Sequence, residues 1–195
     1  MKSYVQEIVD ISNYLYEKKL VSGLAGNVSC RFENENTELI AISPTSKSLE
    51  NLNPEDVVLI DMEGNIISDG KPSSEVKMHL KIYQARNDVN AIVHTHSPFA
   101  TGFAFSTKRI KRLEGFGKVV TPFLEDIEYE TPGSIELAIK AAEGIGNEDV
   151  LILKNHGVLT VGKNLKEASS LAGFVEDIAK TQFISHMLNL SENIK

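Results

Sequence analysis

Apolar side chains at Val5, Ile8, Val9, Ile11, Leu15 and Leu20 recur at helical spacing, so residues 3 to 20 are predicted to form a helix with one apolar face. Ser22-Gly23 closes it, and Gly23 suits a left-handed C-terminal cap. Residues 27 to 32 and 38 to 42 read as two strands joined by the polar turn Glu33-Asn34-Glu35-Asn36. Residues 57 to 61 form a third strand, and Glu63-Gly64-Asn65 turns it into Ile66-Ile67 as a hairpin. From 74 to 86 the pattern is helical again, with Ser73 or Ser74 as N-cap.

Residues 91 to 95 are a short buried strand. Pro98 opens a helix to about residue 105, and a basic, irregular stretch follows to 117. Val119-Val120 reads as an edge strand. Thr131-Pro132 starts a helix that runs to about 144. Residues 150 to 153 and 157 to 161 are strands flanking Lys154-Asn155-His156. Asn164-Leu165-Lys166-Glu167 is a capping box that opens a last helix to about 188. This order implies one α/β domain over residues 1–195, with a mixed sheet covered by helices.

The bulk properties narrow the function. With 195 residues, 42% hydrophobic and 24% charged, the chain can bury a core without disulfides or a structural metal. A formal net charge of −7 argues against a nucleic-acid surface, and the basic run from Lys108 to Arg112 is short and lacks interleaved aromatics. The one cysteine, Cys30, reads as a small core residue of a cytoplasmic protein. Charges spread through MKSYVQEIVDISNYL argue against a signal peptide, and no stretch approaches the roughly 18 apolar residues of a membrane span.

The chemistry concentrates in a few segments. Val93-His94-Thr95-His96 ends an apolar strand, where residues two apart share a face, so two imidazoles can share one cation. A catalytic zinc takes three protein ligands and leaves a position open. The chain has five histidines, leaving His79, His156 and His186 as candidates for the third ligand. His156 sits in a turn between apolar strands, where a side chain can project from the sheet edge. His79 and His186 lie in predicted helices and read as ordinary, partly exposed histidines. Lys71-Pro72-Ser73-Ser74-Glu75 opens a helix, whose free N–H groups suit an anion. Gly23 to Asn27 and Ser43 to Ser48 are small-polar loops of the kind that can cradle one too.

Taken together, Ala25-Gly26-Asn27-Val28-Ser29, Ser43-Pro44-Thr45-Ser46, Lys71 to Glu75, Val93 to His96 and Asn155-His156-Gly157 resemble the class II aldolase/adducin family over roughly residues 5 to 185. The resemblance implies a three-layer α/β/α fold around a central mixed, largely antiparallel sheet. It implies one Zn2+ (or another divalent metal) per subunit on His94, His96 and His156. Glu75 would be the acid/base, able to approach the metal when no substrate is bound. Substrate phosphate would lie among Gly26, Asn27, Thr45, Ser46, Ser73 and Ser74. The expected activity is aldol cleavage of a small phosphorylated ketose to dihydroxyacetone phosphate and an aldehyde. The expected assembly is a cyclic homotetramer with active sites between subunits, without nucleic-acid or membrane partners.

Three departures stand out. Ser46 replaces the family's usual glycine. The family's aldolases take a tyrosine from a neighbouring subunit, yet residues 100 to 123 contain none and Tyr129 does not align with it. The chain also stops soon after its last helix, whereas some aldolases fold a longer tail over the site. Relatives on this fold include sugar-phosphate 4-epimerases, dehydratases and decarboxylases. The epimerases carry Asp where this chain has Glu75, which favours the aldolase reading. Adducin-like members, which keep the fold as an interaction module, lack the metal histidines that this chain retains.

Overall fold

Hydrophobic alternation along the strands builds this molecule around one sheet. The structure, a computed structural model, describes residues 2–113 and 121–192. Its strands are β1 (Asn27–Asn34), β2 (Thr37–Ile42), β3 (Val58–Asp61), β4 (Ala91–Thr95), β5 (Glu125–Ile127), β6 (Val150–Leu153) and β7 (Gly157–Gly162). They form a seven-stranded sheet in the order β3-β2-β1-β4-β7-β6-β5. Every neighbouring pair is antiparallel except β5 and β6, so the sheet is mixed and largely antiparallel, as expected.

The two faces carry different helices. On one, Val28, Cys30, Phe32, Ala91 and Val93 pack with Ile8, Val9 and Leu15 of α1 (Lys2–Glu17) and with Ala168 and Ala172 of α5 (Leu165–Glu192). On the other, Ile40, Ile42, Ile92 and Leu159 pack with Met78 and Ile82 of α2 (Val76–Ala85) and with Leu137 and Ala141 of α4 (Ile135–Ile145). A third cluster joins α3 (Pro98–Ala104) and the middle of α5 to β6 and β7. The layers are therefore α/β/α. In β1 the residues facing α2 are polar: Ser29 meets His79 and Tyr83, and Arg31 meets the end of the same helix.

Several boundaries differ from the sequence reading. The first helix ends at Glu17, and Lys19 takes a left-handed conformation just after it (φ 59°); Gly23 is left-handed as expected (φ 57°) but lies beyond the helix end and does not cap it. Leu20 and Val21 are both 3% exposed, and leaving the helix early turns them into the core. Helix α2 starts at Val76 with Glu75 at its cap, while Ser73 Oγ accepts from Glu75 N at 3.3 Å in the preceding turn. Helix α4 starts at Ile135, capped by Ser134 Oγ accepting from Leu137 N. Thr131-Pro132 lies in a turn instead, because Gly133 has a positive φ of 77° and its backbone packs against Ser74 O.

The hairpin after β3 is present as a bridge between Ile60 and Ile66, with Ile67 N donating to Leu59 O. Asn164 Oδ1 caps α5 by accepting from Glu167 N, but the Glu167 carboxylate reaches Lys163 N rather than Asn164 N. The expected strand at Val119-Val120 lies outside the described residues, and the strand at Glu125–Ile127 was not anticipated. No helix among the described residues is long and apolar enough to cross a membrane.

Candidate active site

The histidines singled out in the sequence gather at one end of the sheet's central strands. His94 is on β4 and His96 follows the strand's last residue, while His156 sits in the turn between β6 and β7. Asn155 takes a left-handed conformation in that turn (φ 53°), a backbone state that asparagine tolerates better than most residues. Gly157 follows because nothing larger fits: a Cβ there would lie 2.5 Å from Thr95 O and 3.1 Å from the His94 ring. Gly26 is constrained in the same way, with φ 85° and His94 O 2.9 Å from where its Cβ would be.

These approaches bring the three imidazoles together. One ligand atom from each of His94, His96 and His156 lies within 4.8 Å of the others, so the cluster could hold a metal ion. His94 Nε2 and His96 Nε2 are 2.9 Å apart. His94 Nδ1 lies 2.9 Å from Val158 O, a carbonyl that can only accept, so its proton is on Nδ1 and its Nε2 lone pair points into the cluster. Burial holds all three histidines below their ordinary pKa: His94 falls to about 3, with His96 as a further cause, and His156 to about 4. The neutral ring is the ligating form. The donor set thus fits a divalent cation.

Glu75 lies against the cluster and is 6% exposed. Its Oε2 is 3.3 Å from His94 Nε2 and its Oε1 is 3.5 Å from His156 Nε2. Oε2 also accepts a 2.8 Å hydrogen bond from Asn27 Nδ2, whereas Oε1 is buried and has no hydrogen-bond partner.

The anion-binding candidates gather beside this carboxylate. The Ser43–Ser46 and Lys71–Glu75 segments run side by side: Pro44 bridges Pro72, Thr45 N donates to Lys71 O, and Ser73 N donates to Ser43 O. Ser43 Oγ ties this pair to β1 by accepting from Val28 N. Ser46 and Ser74 are exposed, Thr45 and Gly26 are half-buried, and Ser73 is buried. Ser46 has φ 60°, a left-handed backbone that glycine adopts at less cost. Asn27 differs from the rest, since both ends of its side-chain amide are engaged, one by Glu75 and the other by His79.

His79 is not the partly exposed helix residue that periodicity suggested. It is fully buried, with Nδ1 2.6 Å from Ser29 Oγ and Nε2 2.6 Å from Asn27 Oδ1. The signal was available, because Met78, His79, Ile82 and Tyr83 all fall on the sheet-facing side of α2. His186 lies far along α5 and is exposed. The basic run is absorbed locally, with Arg109 paired to Asp126 at 2.7 Å and Arg112 paired to Glu148.

A three-histidine cluster that could hold a metal ion, with a buried carboxylate beside it, sits at one end of an α/β/α sandwich. The chain belongs to the class II aldolase family: the Class II Aldolase and Adducin N-terminal domain matches residues 6–183. It is similar to an L-fuculose phosphate aldolase of Methanococcus maripaludis, 42% identical over 93% of this chain and 97% of the relative. A 5-deoxy-D-ribulose 1-phosphate aldolase of Bacillus thuringiensis is 35% identical over 91% of this chain and 83% of its own length. Among solved structures, an L-fuculose 1-phosphate aldolase superimposes with a TM-score of 0.87 at 32% identity, covering 95% of this chain and 87% of the other.

Proposed function

We propose that this chain is a zinc-dependent aldolase that cleaves a phosphorylated ketose to dihydroxyacetone phosphate and an aldehyde. L-Fuculose 1-phosphate is the first substrate to test, because relatives named for it share so much of the chain. The observation that carries the reading is the buried Glu75 carboxyl set within 3.5 Å of two of the three clustered histidines. In this reading residues 1–195 form one catalytic domain acting in the cytoplasm.

His94, His96 and His156 would hold the cation, whose Lewis acidity stabilises the negative charge that cleavage leaves on the ketone fragment. Glu75 moves the proton. Its Oε2 is tethered by Asn27, and its unpartnered Oε1 is the atom placed to take a hydroxyl proton and return it to carbon. Gly26, Thr45, Ser46, Ser73 and Ser74, with Asn27 at their edge, bind the phosphate and so orient the scissile bond against Glu75. Exposed Phe183, Ile184, Met187 and Leu190 on the last turns of α5 suit burial against a second copy, which supports association of the chain; the assembly proposed is a homotetramer with sites between subunits.

Across a panel of ketose 1-phosphates and ketose 5-phosphates, zinc-loaded protein should release dihydroxyacetone phosphate from L-fuculose 1-phosphate or another ketose 1-phosphate. Glu75→Gln should keep its metal and lose turnover by about 100-fold or more, the scale of positioned acid/base catalysis. Some other product across the whole panel would overturn the aldolase reading. Protein that holds no zinc after reconstitution would overturn the metal assignment.

A further inference from the structure

A line of buried polar side chains runs from the proposed site into the layer between β1 and α2, and the proposed reaction makes no use of its far members. Glu75 Oε2 accepts from Asn27 Nδ2 at 2.8 Å. That fixes the Asn27 amide, so Asn27 Oδ1 is the atom facing His79 Nε2 at 2.6 Å, and the ring must donate there. A neutral ring that donates from Nε2 accepts at Nδ1, so the Ser29 hydroxyl 2.6 Å away donates to it. Ser29 Oγ in turn receives the Tyr83 hydroxyl at 2.7 Å. The far end is clamped, because Arg31 donates to Tyr83 O and its guanidinium lies 5.4 Å over the Tyr83 ring. Ser29, His79 and Tyr83 are each 0% exposed and Asn27 is 3% exposed, so water does not compete for any link.

Each link has one permitted direction. A two-fold ambiguous amide and a two-fold ambiguous imidazole are both resolved by their neighbours. We propose that Tyr83, Ser29, His79 and Asn27 form a buried positioning relay that holds Glu75 in one orientation beside the three histidines, leaving Oε1 as its working atom. His79 is its central positioning residue. The inference rests on the reading of Glu75 as the proton-transfer group. It also gives Asn27 a second task, since the side chain that borders the phosphate loops is the one that aims the carboxyl.

The test uses His79→Gln, which keeps a donor near the Nε2 position, and His79→Leu, which keeps bulk and removes both hydrogen bonds. With L-fuculose 1-phosphate, or the panel member that the wild type cleaves, His79→Leu should lower kcat about 10–100-fold, the usual effect of losing a group that orients a metal-site residue, while KM holds. His79→Gln should recover most of that loss. Visible absorption of the cobalt(II)-loaded proteins reads the carboxyl independently of turnover, and it should change in His79→Leu and return in His79→Gln. In a Glu75→Gln background, His79→Leu should add no further loss of kcat.

Unchanged kcat and an unchanged cobalt spectrum in His79→Leu would overturn the relay, as would a loss that adds in full to that of Glu75→Gln. If His79→Leu fails to fold, Ser29→Ala stands in, since it deletes one hydroxyl with little change in volume; the same effects at smaller size support the relay, and wild-type kcat and spectrum overturn it. If Glu75→Gln itself turns over normally, the proton-transfer reading falls alone, and the relay is decided by whether the cobalt spectrum shifts in His79→Leu and returns in His79→Gln.

Discussion

Gly157 lacks a side chain because the Thr95 carbonyl and two imidazole rings occupy the space that one would fill. Gly157→Ala forces the β6–β7 turn away from β4, and with it His156. The expected result is a destabilisation of about 1–3 kcal/mol, as for other overpacked sites, measured by urea denaturation. Metal affinity should fall about 10–100-fold, read by competition with a chromogenic chelator. Ser46 makes the opposite prediction. Its left-handed backbone at φ 60° costs a residue with a Cβ about 1 kcal/mol that glycine does not incur. Ser46→Gly should therefore raise Tm by about 2–4 °C for a chain of this size. A lower Tm would mean that the serine hydroxyl does more for the loop than its backbone strain costs.

At the scale of elements, the junction between α2 and β4 depends on one cation. Arg31, 7% exposed, donates to the carbonyls of Tyr83, Arg86, Asn87 and Val89. These include carbonyls that the end of α2 would otherwise leave unpaired. Arg31→Met should cost about 3 kcal/mol or more, since it strands several buried acceptors at once. Equilibrium unfolding measures this, and a loss below 1 kcal/mol would show that water replaces the guanidinium there. Elements were legible in the sequence wherever one period ran unbroken. Strands β1, β2, β4, β6 and β7 lie close to where alternation and apolar runs put them. The beginnings of α2 and α4 were less legible because Ser73, Ser74, Thr131 and Pro132 all resemble helix starts, and the winner was decided by packing: Gly133 lies on the Ser74 backbone, a contact that no local pattern encodes. Strand β5 has three residues, all half-buried, so it offered no periodicity to read.

For the molecule as a whole, His94-x-His96 was legible because a strand forces its alternate residues onto one face. His156 was legible as one of three candidates, and choosing among them took the resemblance of its neighbours to a family. The burial of His79 could be read from the phase of α2, but its partners could not, because a single polar residue on an apolar helix face gives no hint of the polar face of β1 opposite it. The three hydrophobic clusters stand without the histidines, so removing metal should leave the fold in place. Chelation should leave the far-UV circular dichroism unchanged and lower Tm. Restoring zinc at a thousand times its Kd should return about 4 kcal/mol. Unfolding on chelation alone would show that the metal is structural.

The antiparallel pairing of His94 with Leu159, one strand over from the turn that carries His156, has a consequence for assembly of the chain. A slip of one residue between β4 and β7 would turn His94 to the opposite face of the sheet and away from Glu75. The unfolded chain and any slipped pairing offer a cation at most the two neighbouring histidines. The proposed centre is therefore a gauge of strand register, complete only once distant parts of the chain have met in the right alignment. Zinc present during refolding should leave the rate of the main folding step unchanged and appear only as a late capture event.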